Sequence, residues 1–238
     1  MFIDLKANSW KHIIWLFQAG VLVFGVPFIF SHLLDLPLDL FFAILGIFSI
    51  AFFWYYSKST DLNWGESLSP GWALGIILGA FIGLGFISNT TTQINMTDYY
   101  MPAFTPAVIL RGVVYGILSA ILLTIIPFVV IWRAFSGVNP GNLRKVAVTI
   151  IAVIALASMS FLYNLGLNGF NNKNLNDDVK MSMIANVPTL ISGNPLAGPI
   201  SNVFLQISRN IALHRENVAN VSKMNENAKS KTSSGGVN

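Results

Sequence analysis

The sequence predicts an all-α integral membrane protein: a bundle of five transmembrane helices, followed by a C-terminal amphipathic helix and a disordered tail. Three observations predict it. Of the 238 residues, 54% are hydrophobic and 10% charged, where an ordinary soluble domain has roughly 25% charged residues. The 14 Lys+Arg and 10 Asp+Glu are confined to short stretches. Between them lie apolar runs of about 20 residues, the length needed to cross a hydrocarbon core roughly 30 Å thick. These runs show no strand-type alternation, and a backbone in lipid must satisfy its own hydrogen bonds, so they are expected to be helices.

The first span is expected over about 13–30, with Gln18 and Pro27 as its interruptions. Lys6 and Lys11 precede it as they would a secretory leader, but Ser31-His32-Leu33-Leu34 is a poor cleavage site, so the segment is expected to remain as a span. The second covers about 40–56. The third, about 71–88, lies between Ser69-Pro70 and Asn89-Thr90-Thr91-Thr92. The fourth, about 112–132, contains no charge and is flanked by Arg111 and Arg133. The fifth covers about 146–165, which closes a bundle of residues 1–167.

Residues 168–222 read as an outer tail. It opens with Asn168, Asn171, Asn172, Asn174 and Asn176 and continues as an apolar stretch broken by Pro188, Gly193, Pro195, Gly198 and Pro199. A helix over about 199–214 is expected to start at Pro199, which suits a first-turn position. Ile200, Val203, Phe204, Ile207 and Ile211 form its apolar face, with Ser201, Asn202, Gln206, Ser208 and Arg209 elsewhere. The favoured placement is at the interface or docked on the bundle. A re-entrant pair of half-helices around Gly193-Asn194-Pro195 and a sixth span are the alternatives. The sixth span is disfavoured because Asn186, Asn194, Asn202, Gln206, Arg209 and Asn210 would need partners inside the membrane. Residues 223–238 are small, polar and aperiodic, and are expected to be disordered.

Lys6, Lys11, Lys58, Arg133, Arg144 and Lys145 all fall on one side of the alternating spans. By the positive-inside rule that side, with the N-terminus, is cytoplasmic, in a plasma or inner membrane. All six Trp lie at or near the same side, whereas Tyr99, Tyr100 and Tyr163 mark the other. Five spans leave the C-terminal tail outside.

The sharpest motif is Gly71, Gly75, Gly79 and Gly83, three consecutive GxxxG steps that clear one helix face for close approach of another backbone. Gly112, Gly116 and Ala120 offer the fourth span as its candidate partner. Packing within one chain is the ordinary use of such a stripe. Homo-oligomer contact and a moving seam or pore lining are the functional ones. Arg111 is expected to snorkel at the outer mouth or to pair with Asp35, Asp39 or Asp98, which face the same compartment.

The chemistry-bearing residues are sparse. There is no Cys, which excludes disulfides and thiol catalysis, and no carboxylate lies at mid-depth of a span. His12 and His32 stand about 30 Å apart along one helix, too far to share a haem iron. No cofactor or metal is expected. The net charge of +4 is better explained by orientation and anionic lipid than by nucleic acid. Expected partners are the bilayer and other membrane subunits or further copies of the chain. The favoured function is that of a non-catalytic accessory, scaffold or assembly subunit acting through helix packing and its tail. A small transporter or channel component comes second and a membrane enzyme third.

Overall fold

A computed structural model describes residues 9–92, 105–135, 141–169 and 175–213. Among these residues the fold is all helical, without strands. Helix α1 covers Ser9–Pro27 and is prolonged by a wide π-helical stretch, Phe28–Leu33. It is followed by α2 (Leu38–Ser59), the short α3 (Trp64–Leu68) and α4 (Trp72–Thr92). Helix α5 runs Pro106–Phe135 and contains a π-helical turn at Ile121–Ile125. Then come α6 (Asn142–Asn168), α7 (Leu175–Ser192) and α8 (197–213).

Five of these helices, α1, α2, α4, α5 and α6, are long and apolar enough to cross a membrane. They coincide with the five expected spans but extend beyond them. Local chemistry sets several of the ends. Thr105 caps α5 by accepting from the Val108 amide, with Pro106 in the first turn. Asn63 caps α3 through the Glu66 amide. Gly193, at φ +68, closes α7 in the left-handed conformation that a side chain disfavours.

Helix α5 is the central element: 78% of its most apolar window is buried, against 22% for α4. Its apolar residues Leu122, Ile126 and Val130 join Val23 and Val26 of α1, Phe41, Leu45 and Phe52 of α2, and Met159 of α6 in one core. The outward faces are apolar too: Phe17, Ile47, Ile77, Phe81 and Ile154 are exposed. At the end of the bundle shared by His12 and the α2–α4 connection, Trp15 packs edge-on against Phe52, Tyr55 and Tyr56, and Trp64 stacks on Phe53.

The C-terminal segment departs from expectation. Residues 175–213 do not stand apart: α7 and α8 form a helical hairpin docked on the bundle, α7 against α4 and α6 and α8 between α4 and α5, with the turn at 193–196. The helix expected over 199–214 begins two residues earlier, at 197, and ends at 213 among the described residues. It is not laid along an outer surface. Pro188 lies inside α7 without ending it. The break between the two helices falls at Gly193-Asn194-Pro195, where the re-entrant alternative put its turn. Four of the polar residues that argued against insertion, Asn186, Asn194, Asn202 and Arg209, find partners within the bundle. Residues 223–238, expected to be disordered, lie outside the described residues.

Candidate functional site

The site is the seat of this hairpin. Helix α8 runs parallel to α4 and antiparallel to α5, as successive glycine contacts show. A Cβ placed on Gly71 would strike the carbonyl of Ser192, and one on Gly75 would lie 3.1 Å from Ala197 Cβ. One on Gly79 would lie 2.6 Å from the Ala197 carbonyl oxygen, and one on Gly83 would enter the Phe204 ring. On the other side Gly112 touches Ile207, and Gly116 touches Val203 at its backbone.

The two glycine stripes therefore do not face each other as the sequence suggested; α8 lies between them. The reason is volume: two bare faces leave a slot wide enough for a whole helix. The expected apolar face of α8 fills it. Ile200 meets Gly79, Phe204 meets Gly83, Val203 and Ile207 meet α5, and Ile211 clusters with Val108 and Ile207. Ala120, the last small residue of the α5 stripe, is fully buried.

The hairpin's inner faces carry a ladder of polar contacts spaced by about one helical turn. At one end Arg209 pairs with Asp178 at 3.2 Å. Deeper, Ser182 and Gln206 are both buried. At the centre Thr124 of the α5 π-turn donates to Asn186 Oδ1 at 2.6 Å, and Asn202 Nδ2 donates to Thr124 Oγ1 at 3.3 Å. Asn186 also donates to the Ser182 carbonyl, and Asn202 to that of Gly198. Further on, the Gly198 amide donates to Thr189 Oγ1 at 2.7 Å. At the tip Asn194, 1% exposed, donates to the carbonyls of Leu68 at 2.5 Å and Pro70 at 2.8 Å, tying the hairpin to the entrance of α4. Ser160 Oγ of α6 and Asn210 Nδ2 of α8 are buried without a hydrogen-bond partner.

The other singled-out residues lie at the ends of the bundle. Arg111 pairs with Asp39 Oδ2 at 2.8 Å, and Tyr115 donates to the other oxygen of the same carboxylate. These contacts tie α2 to α5 at the end opposite His12. Asp35 occupies a left-handed turn at φ +47, and Asp98 lies outside the described residues. His12 Nδ1 is 3.2 Å from the Tyr56 hydroxyl, whereas His32 lies against Gly169 at the far end of α1. Among the described residues no three His, Cys, Asp or Glu side chains are grouped to hold a metal ion.

The sequence marks Asn186 and Asn202 only as obstacles to insertion and does not single out Thr124. The signal available was their spacing: Asp178, Ser182 and Asn186 on α7, and Gly198, Asn202 and Gln206 on α8, recur every fourth residue. No family model matches the chain, and no curated protein and no solved structure is significantly similar to it.

Proposed function

We propose that the chain is a multi-pass integral membrane protein, working without catalysis as an accessory, scaffold or assembly subunit. In this reading α1, α2, α4, α5 and α6 cross the bilayer, the α7–α8 hairpin is inserted among them, the N-terminus is cytoplasmic, and residues beyond 213 lie outside. The seat of α8 between two glycine stripes supports it: a whole helix is devoted to holding α4 against α5. Small residues that admit a neighbouring backbone are how membrane helices gain close contact.

Two measurements test it. Single cysteines at Asn139 and Asn225, in a chain that has none, should react with an impermeant thiol reagent from the cytoplasmic and outer sides respectively. Extraction from native membranes in mild detergent should yield the chain with partner chains at fixed stoichiometry. Truncation after Leu213, which leaves the hairpin intact, should release them. A homo-oligomer purified alone, unaffected by that truncation, would remove the accessory reading.

One observation favours the second reading, a small transporter or channel component. The hairpin places a file of hydrogen-bonding side chains along the bundle interior, as discontinuous elements in transporters do.

A further inference from the structure

We infer that the groove between α2 and α5 binds an anionic phospholipid of the cytoplasmic leaflet, which lays an acyl chain along α2 and sets its phosphate against Lys58. This rests on the membrane threading proposed above.

The groove is made by missing side-chain volume. On α2, Ala43, Gly46 and Ala51 leave a furrow of about 530 Å³, with Leu118 of α5 as its far wall. That leucine already fills the space a side chain on Gly46 would need, its Cδ1 standing 2.8 Å from the Cβ position. The furrow is open on its outer side. Its rims, Ile47, Ile50 and Trp54, are exposed, and every residue that lines it is apolar. In the proposed threading this opening faces lipid, and its volume lies within the ~300–1,000 Å³ of ordinary ligand sites.

Length and charge identify the occupant. From Ala43 to Trp54 is about 16 Å at 1.5 Å per residue, half of a hydrocarbon core roughly 30 Å thick and so the depth of one leaflet. Lys58 follows Trp54 by one turn on the same face of α2. Its ammonium lies 5.2 Å from the centre of the Trp54 ring, so the indole holds the cation at the mouth of the groove. Lys58 is exposed, and among the described residues no carboxylate pairs with it. An apolar furrow one leaflet deep that ends in an unpaired cation matches a phospholipid with a net negative headgroup, a class that gives the cytoplasmic leaflet its negative surface potential. A zwitterionic headgroup carries its own cation beside the phosphate and gains less from Lys58. A second copy of the chain fits worse. Two-fold symmetry about the membrane normal would press like surfaces together, and the two Lys58 ammonium groups would meet with no carboxylate between them.

The test uses the full chain in mild detergent, equilibrated with equal amounts of phosphatidylglycerol and phosphatidylcholine of the same acyl chains. Lipid retained after detergent exchange is quantified by mass spectrometry. The parent should retain phosphatidylglycerol over phosphatidylcholine by about fivefold, the worth of one cation at an anionic lipid surface. Lys58→Gln should abolish that preference, whereas Lys11→Gln, which removes another exposed cation at the same end, should keep it. Ala51→Phe and Ala43→Phe, which fill the furrow from exposed positions, should each lower the phosphatidylglycerol retained. Ile154→Phe, on the exposed face of α6, should not. No preference in the parent, equal losses in the two lysine variants, or parent-like retention in both alanine variants overturns the site. A parent dimer that Ala51→Phe dissociates also overturns it, by placing a second copy in the groove. With cysteine reporters at Asn139 and Asn225 on their expected sides, such results remove the lipid site alone. Reporters on exchanged sides overturn the threading, and the leaflet assignment with it.

Discussion

The backbone of Val203 occupies the space where a side chain on Gly116 would begin. Helices α5 and α8 are thus in backbone contact, and the contact depends on one missing methyl group. Gly116→Leu should lower the thermal stability of the detergent-solubilised protein, since overpacking costs about 1–3 kcal/mol. Gly85 provides the control: nothing lies within 4 Å of its Cβ position. Gly85→Ala should be neutral or stabilising, by up to about 1 kcal/mol from helix propensity. Equal melting of Gly116→Leu and the parent would show that the seat is not close-packed.

Thr124 and Asn186 should be energetically coupled. Either single change, Thr124→Val or Asn186→Leu, strands a buried polar partner, at a cost of about 1–3 kcal/mol. The double variant should cost less than the sum of the two, with a coupling of about 0.6 and at most about 1.7 kcal/mol, the range for hydrogen bonds between membrane helices. Unfolding in mixed micelles measures the cycle, and strict additivity would mean the bond does not form.

Asn194→Ala should loosen the hairpin tip. The amide holds two carbonyls of another segment, and its loss should raise hydrogen exchange at 193–196 and at 68–70 together. Exchange that rises at only one of the two segments would argue against the pin. At the neighbouring Gly193 the strain is conformational, because φ is +68 and no atom lies within 4 Å of its Cβ position. Gly193→Asn should therefore be milder than Gly193→Val.

The Arg111–Asp39 pair should contribute little on its own. Its side chains are 56% and 59% exposed, a setting in which such pairs are worth about 0–1 kcal/mol and weaken with salt. Arg111→Asp should destabilise modestly, and adding Asp39→Arg should restore the parent's melting temperature. If charge swaps only with Asp35 or Asp98 rescue it, the pairing is different.

The five long apolar helices were legible because their signal is additive along the chain: twenty apolar residues declare a span whatever surrounds them. Their ends were less so, since caps such as Thr105 and helical flanks such as Asn142–Val146 add turns that hydropathy does not register. The hairpin was hidden for the opposite reason. Asn186 and Asn202 each count against burial when read singly, and only their shared partner, Thr124, far away in sequence, removes the cost. The glycine stripes could be seen, but not what lies between them, because bare faces advertise closeness without naming a neighbour. Arg111 had three candidate carboxylates, and the one chosen depends on how α2 packs on α5.

Because α7 and α8 run in opposite directions, the hairpin is neutral in the arithmetic of sidedness. It adds two traverses of the bundle, yet the chain leaves α8 at the same end at which it left α6. A segment with this property can be gained, lost or exchanged without inverting anything before or after it. The five-helix frame and the polar insert are thus topologically separable parts, joined in the folded protein by bare glycines and a few amide bonds.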